Sequence, residues 1–345
     1  MQAKPSLVSI VFVAYNHAQF IKKVMDSFIN QTYPNIEVIA VDNGSTDGTR
    51  EILKSYAGVS VKILELKNIG PSLGMTQGLL LANGEYCSLS AGDDEYMLDK
   101  VERQMQFIKK ENLDAVFSLP ELVDDNGDRV EEALFPHFSN YHFSSEAQMI
   151  HRLFHTGNFL CGSTSLIETQ ALKSLLPFHP GSLQFHDAEI WLRLAARYKV
   201  KLLPDRLIRY LVRIDQGNLS NPADKVNRIE NEKFMMYFHF FDQVPDEKII
   251  SAFPDIFSEA ESYTSEQVRL RLPKVYFSHA NFRVKFIGYM KLFEILKNKL
   301  DWDETFESLY GDIFNYYNSL NHLDVFNEGL AANARKILKE RALRS

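Results

Sequence analysis

Residues 85–96 read EYCSLSAGDDEY. An apolar-leaning run, Glu85 to Leu89, ends in small residues and a glycine, then delivers Asp93 and Asp94 with Glu95 beside them. Two carboxylates at the carboxyl end of a buried strand suit a divalent cation and a phosphate-bearing ligand. Hard oxygen donors hold Mg2+ or Mn2+, and the metal neutralises phosphate charge. The plain alternative is a solvated acidic turn ahead of a helix, where Asp and Glu are common. The neighbouring stretches decide between the two.

Upstream, residues 7–14 (LVSIVFVA) are nearly all apolar and β-branched, which predicts a strand buried on both faces. A helix follows over 18–30 with Ile21, Val24, Met25 and Phe28 on one face. Residues 36–41 form a second buried strand ending in a polar turn at Asp42, and 61–66 a third, with a helix over 49–56 between them. Pro71 opens another helix, closed by Asn83 and Gly84. Strands alternating with helices at this spacing imply βαβ units and a parallel, doubly wound α/β sheet. Ligands of such sheets bind outside the carboxyl ends of the strands. That rule gathers Ala14, Tyr15 and Asn16, then Asp42 and Asn43, then Asn68 and Gly70, then Asp93 and Asp94, on one rim. Four polar turns on one edge favour a binding site over a chance acidic turn.

Downstream, helical spacing runs over 97–111 with Leu98, Val101, Met105 and Ile108, and a strand follows over 114–119. Residues 127–144 read as a loop over the site. Asp187 begins an amphipathic helix with Ile190, Trp191, Leu194, Ala195 and Tyr198 on its apolar side. A strand over 200–203 closes the sheet, and 209–220 read as a polar tail. From about 222 to the end the pattern is all helical. Residues 1–221 are thus expected to form an α/β domain and 222–345 a helical C-terminal region.

Bulk composition narrows the classes. With 345 residues, 45% hydrophobic and 24% charged, the chain is an ordinary globular sequence of about two domains. A net charge of −7 gives no footprint for nucleic acid as a main partner. Cys87 and Cys161 lack metal-ligand spacing and are expected as reduced core residues, which with the absence of a leader-like segment predicts a cytoplasmic protein. Basic residues Arg283, Lys285, Lys291 and Lys297 share a segment with Phe282, Phe286 and Phe293. Basic amphipathic helices lie on anionic membrane surfaces, so peripheral contact at the inner face is one expectation; a solvated face is the plainer one.

Five ordered motifs together resemble the inverting family 2 glycosyltransferases, with their GT-A fold. VFVAYN (11–16) resembles the family's opening strand, and VDNGSTDGT (41–49) its V-D-[DN]-G-S-T-D-x-T turn. NIG (68–70), SAGDDE (90–95) and HDAEIWLRLA (186–195) resemble its Asn-x-Gly, its Asp-x-Asp-type metal motif and its Glu-Asp-x-x-x-Trp-Leu-Arg-Leu segment. The resemblance covers about residues 6–220. It implies a GT-A type, Rossmann-like, mostly parallel sheet flanked by helices. It also implies transfer of a sugar from a nucleotide-diphosphate sugar, with UDP the leading nucleotide, to a saccharide or lipid-linked acceptor in cell-surface glycan synthesis.

By the same resemblance Tyr15 and Asp42 contact the base or ribose, Asp93 lies near ribose and metal, and Asp94 ligates Mn2+ or Mg2+. Asp187 matches the family's base, which takes the proton from the acceptor hydroxyl. Three positions depart from the pattern. His186 replaces an acidic residue before the base, Ala91 replaces the first carboxylate of the metal motif, and Arg213-Ile-Asp215 stands where relatives have Arg-x-His. Asp215 is therefore a candidate metal ligand, and Arg213 a bidentate partner for the diphosphate. Two other readings stay open: a nucleotide-sugar-binding protein of this fold without turnover, and a nucleotidyltransferase. The latter needs a Gly-rich basic loop after the first strand, and residues 14–17 (AYNH) supply none.

Overall fold

The computed structural model describes residues 4–131, 142–213, 225–258, 262–297, 301–320 and 323. Among them one eight-stranded sheet carries the order β3-β2-β1-β4-β7-β6-β8-β5. Its first half is parallel: β1 (Val8–Ala14) lies between β2 (Ile36–Asp42) and β4 (Tyr86–Ala91), and β3 (Val61–Glu65) flanks β2. Every residue of β1 except Val13 is buried, as its nearly all-apolar run requires of a central strand covered on both faces. Helices α1 (Ile21–Ile29), α2 (Thr49–Lys54) and α3 (Pro71–Leu80) make the crossovers. On α1 the four predicted residues, Ile21, Val24, Met25 and Phe28, are the buried ones.

The second half is mixed. β7 (Leu166–Glu168) runs antiparallel to both β4 and β6 (Ala115–Val123), β8 (Val200–Leu211) is parallel to β6, and the two-residue β5 (Glu95–Tyr96) closes the edge against β8. Helices α4 (Lys100–Glu111), α5 (Glu146–Thr156), α6 (Thr169–Ser174) and α7 (His186–Arg197) complete this half.

Two expectations for it change. The last strand extends far past 203, taking in Arg209 to Leu211; its polar residues lie on an edge that pairs with only two residues of β5, so they need not be apolar. And α4 starts three residues later than its periodicity predicted, leaving Leu98 exposed and Lys100 fully buried. The Lys100 ammonium donates to Ser88 Oγ at 2.8 Å, Gln104 Oε1 at 2.9 Å and Ser165 O at 3.2 Å, which is how a buried cation is tolerated. Burial holds its pKa well below the ordinary lysine value. The expected loop over 127–144 lies largely outside the described residues.

The chain forms two compact units, residues to Met236 with Phe240–Lys248, and Tyr237–His239 with Ile249 onward. Helix α8 (Val226–Phe238) and helix α9 (Asp246–Ala252) follow the sheet. In the second unit, α10 (Ser265–Phe277), α11 (Phe282–Leu296), α12 (Glu304–Tyr310) and α13 (Ile313–Leu320) surround a small core of Leu270, Leu292 and Phe306. The helical character of this region and the mostly parallel sheet before it match the expected fold class. No described helix is long and apolar enough to cross a membrane.

Candidate active site

The carboxyl ends of β1, β2, β3 and β4 meet on one rim, and the VDNGSTDGT turn is what stitches it together. Ser45 Oγ accepts from Asn16 N–H at 3.0 Å, Thr46 N–H donates to Asn16 Oδ1 at 2.9 Å, and Thr49 Oγ1 accepts from His17 N–H at 2.8 Å. Asp47 accepts from Ala18 N–H at 2.9 Å while its other oxygen caps Thr49. Asn16 is held in the left-handed region with φ 55°, a conformation its short side chain tolerates. The repeated Ser, Thr and Asp residues of this motif therefore shape the first turn rather than decorate it.

Asp42 is buried at the end of β2. Its Oδ2 accepts from Arg50 Nε at 2.7 Å and its Oδ1 from Ser45 N–H at 3.1 Å. Asn43, also buried, receives Ile69 N–H on Oδ1 at 3.1 Å, and Asn68 Oδ1 receives Gly70 N–H at 3.2 Å. Gly44 has φ 85°, and a Cβ there would sit 2.7 Å from Asn68 N. That close approach is why the turn after β2 needs glycine. Tyr15 stands 45% exposed beside this corner, and Ala14 is buried beneath it. The expected nucleoside residues thus share one corner of the rim.

At the end of β4 the two carboxylates part. Asp93 is on the rim side, with Oδ2 3.9 Å from His17 Nε2. Asp94 is only 3% exposed, accepting from Ser163 Oγ and from the Leu211 backbone. Burial, then the charge of Asp93, pushes the Asp94 carboxyl well above the ordinary carboxylate range. A Cβ at Gly92 would fall within contact of His17 Nδ1 and 2.9 Å from Ala14 Cβ, so this turn lies directly on the β1 turn. Burial, reinforced by the charge of Arg213, holds His17 below its ordinary value against the pull of Asp93 and Asp47. Its Nδ1 is buried with no hydrogen-bond partner among the described residues. The Arg213 guanidinium lies 5.5 Å from the Phe20 ring, on the same side. Next to Asp93 the rim opens into a polar pocket of about 130 Å³ bounded by Lys23, Glu95, Asp124 and Arg209.

Asp187 lies in the first turn of α7, where the positive end of the helix dipole favours a carboxylate. Its side chain is 35% exposed, and Oδ1 is 2.8 Å from His186 Nε2. Burial works against the Asp187 charge, yet the His186 imidazolium and its hydrogen bond hold the carboxyl below its ordinary value. For His186 burial is likewise the largest influence and lowers its pKa; Asp187, the Leu183 carbonyl and Glu232 more than reverse it.

One segment links the two ends of the site. Cys161 is pushed well up by burial and by the charges of Asp94 and Asp187 both, so these carboxylates flank the 161–164 turn. Ser163 holds Asp94 from that turn, and a Cβ at Gly162 would lie 3.6 Å from Asp187 Oδ2. No motif in the sequence marks Gly162 or Ser163. Nor does one mark His17, whose only signal was its place two residues after Tyr15.

A hard divalent cation suits the donor set in its chemistry: consecutive carboxylates supply oxygen ligands, and a cation offsets the Asp93 charge that adds to burial in lifting Asp94. Among the described residues no three His, Cys, Asp or Glu side chains converge on one point. Asp215 lies outside the described residues.

Comparison with known proteins bears on the family and the fold. The family model described as Glycosyl transferase family 2 matches residues 9–176. An uncharacterized glycosyltransferase of Rickettsia typhi is 29% identical over 240 residues, 65% of this chain and 68% of that protein. TuaG of Bacillus subtilis, a glycosyltransferase whose name ties it to teichuronic acid biosynthesis, is 33% identical over 125 residues, 35% of this chain and 49% of that protein. In fold, the chain is similar to S. aureus TarS 1-349 in complex with UDP, with a TM-score of 0.57 at 14% identity, over 86% of this chain and 94% of that one. Residues 9–176 thus match glycosyl transferase family 2, and the chain shares the GT-A fold of TarS.

Proposed function

We propose that this chain transfers a sugar with inversion from a nucleotide-diphosphate sugar, UDP-linked, to a saccharide or lipid-linked acceptor in cell-surface glycan synthesis. The observation that carries the reading is the 161–164 turn, where Ser163 holds Asp94 and Gly162 lies against Asp187 Oδ2; we read the first as the diphosphate side and the second as the acceptor side. A direct displacement needs a leaving-group site and a base on opposite sides of one sugar, and one further group suffices for the proton. TarS has been solved with UDP and with UDP-GlcNAc, which supports a UDP-linked donor for a chain of the same fold. We keep residues 1–221 as the catalytic domain of this reading.

In it, Tyr15 and Asp42 receive the base and ribose, with Asn16, Asn43, Asn68 and Gly70 shaping their corner. Arg213 faces the diphosphate. We place the metal-facing role at Asp93, because Asp94 is committed to Ser163 and Leu211. Asp215 is the remaining candidate ligand. When bound, Mn2+ or Mg2+ offsets the charge of the departing diphosphate, so the leaving group needs no proton. Asp187 is ionised, aided by His186 and the helix dipole, and takes the acceptor hydroxyl's proton as the oxygen attacks.

The test is Asp187→Asn. It should keep UDP binding within about twofold and lose transfer by roughly 10²-fold or more, the usual contribution of a positioned base. Transfer at an undiminished rate contradicts the assignment.

A further inference from the structure

The turn that delivers the base is held by a residue beyond all the motifs. Glu232, on α8, is 7% exposed. Its Oε2 accepts from Ser182 Oγ at 3.0 Å, from Leu183 N–H at 3.0 Å and from Gln184 N–H at 2.6 Å. Its Oε1 is 3.4 Å from Arg228 Nε. One carboxylate oxygen thus gathers three successive residues, and charge-assisted bonds of this kind are stronger than neutral ones. Ser182 Oγ in turn accepts from Phe185 N–H at 3.0 Å, which ties the turn to the residue that precedes α7.

The turn then reaches the base through its own backbone. Leu183, whose N–H is on Glu232, presents its carbonyl to His186 Nδ1 at 3.1 Å. A carbonyl only accepts, so Nδ1 carries a proton. Nε2 faces Asp187 Oδ1 at 2.8 Å, and an ionised carboxylate also only accepts, so Nε2 carries one as well. With Asp187 ionised, His186 is therefore an imidazolium, anchored at one nitrogen and spent on Oδ1 at the other. Asp187 Oδ2 is left facing Gly162, where there is no side chain to crowd it.

We propose that Glu232 is a positioning residue for the base: by fixing the 182–184 turn it seats the His186 imidazolium on Asp187 Oδ1 and reserves Oδ2 for the acceptor's proton. This rests on Asp187 being the base. It carries the catalytic machinery past residue 221, into a helix with no motif of its own. Among the described residues the charged groups acting on His186 are Asp187 on its own helix and Glu232 on α8, and the titratable group facing Asp187 from the neighbouring turn is Cys161.

Histidine-labelled full-length protein, titrated by NMR with His186→Gln to assign the resonance, reads the arrangement without needing a substrate. In the native chain His186 stays protonated above the ordinary histidine value. In Glu232→Ala that value falls toward the ordinary one. Glu232→Gln keeps the shape and an acceptor oxygen, and lies between the two. A merely structural Glu232 changes the melting temperature and leaves the His186 titration of the folded protein where it was, and that result in both variants overturns the proposal. Asp187→Asn separates the two ideas. If it lowers the His186 value but leaves transfer intact, the base assignment fails, and with it the purpose assigned to Glu232, although the contact network stands.

Discussion

His186 and Asp187 show how one neighbour sets what a carboxylate can do. Alone and partly buried, Asp187 would be pushed toward the neutral acid; beside an imidazolium it stays ionised. Replacing His186 with Ala leaves burial unopposed, so the Asp187 value rises. A base works deprotonated and is lost as pH falls through its pKa, so the acidic limb of the rate profile should move to higher pH in His186→Ala. An unmoved limb would show that the pair does not govern the base. Stability follows the same signs. The raised His186 contributes below its ordinary value and is lost as pH climbs through the raised one, and the lowered Asp187 contributes above its ordinary value and is lost as pH falls. The melting-temperature gap between native and His186→Ala should therefore be widest between about pH 4 and 6.5. At this scale Asp187 was legible, because it opens a helix inside a recognisable segment. Glu232 was not. It lies 45 residues beyond Asp187, and no spacing rule links an oxygen on one helix to the backbone of a distant turn.

Elements carried the fold in proportion to how uniformly they are buried. β1 and β2 are covered on both faces, so their sequences are mostly apolar, with buried Ser9 and Glu37 bonded to each other, and their limits were nearly right. β8 was cut short because Pro204, Asp205 and Arg206 interrupt its apolar run, although its backbone stays extended and pairs along β6. Lys100 misled in the other direction: a lysine at a helix start reads as solvent-facing, and here it lies under β4, coordinated by three oxygens. Helix α3 makes its own test. Gly78 faces the sheet, and a Cβ there would lie 2.6 Å from Val11 Cγ1 and 2.8 Å from Val41 Cγ2. Both are side chains of central strands with little room to retreat. Gly78→Ala should therefore cost about 1–3 kcal/mol, the usual penalty of overpacking, despite alanine's better helix propensity. Urea unfolding at neutral pH measures it, and a neutral or stabilised variant would mean that α3 sits more loosely on β1 and β2 than described.

Across the whole molecule, the rim is where separate local decisions meet. The VDNGSTDGT turn pins the ends of β1 and β2, Gly92 lets the β4 turn lie on the β1 turn, and the 161–164 turn joins Asp94 to Asp187. The four-turn rim was legible because parallel topology forces strand ends to one side. The 161–164 connection was not, since it depends on β7 inserting antiparallel between β4 and β6. The central claim is that this rim binds a nucleoside diphosphate with a divalent cation. Thermal unfolding of the full chain with UDP, GDP or dTDP, each with and without Mn2+, tests it most directly. One diphosphate, UDP, should raise the melting temperature, more with Mn2+ than without, by about 2.7 kcal/mol of stabilisation at a hundred times its Kd. Asp93→Ala should remove the metal-dependent part. No shift with any diphosphate, with or without metal, would contradict the account.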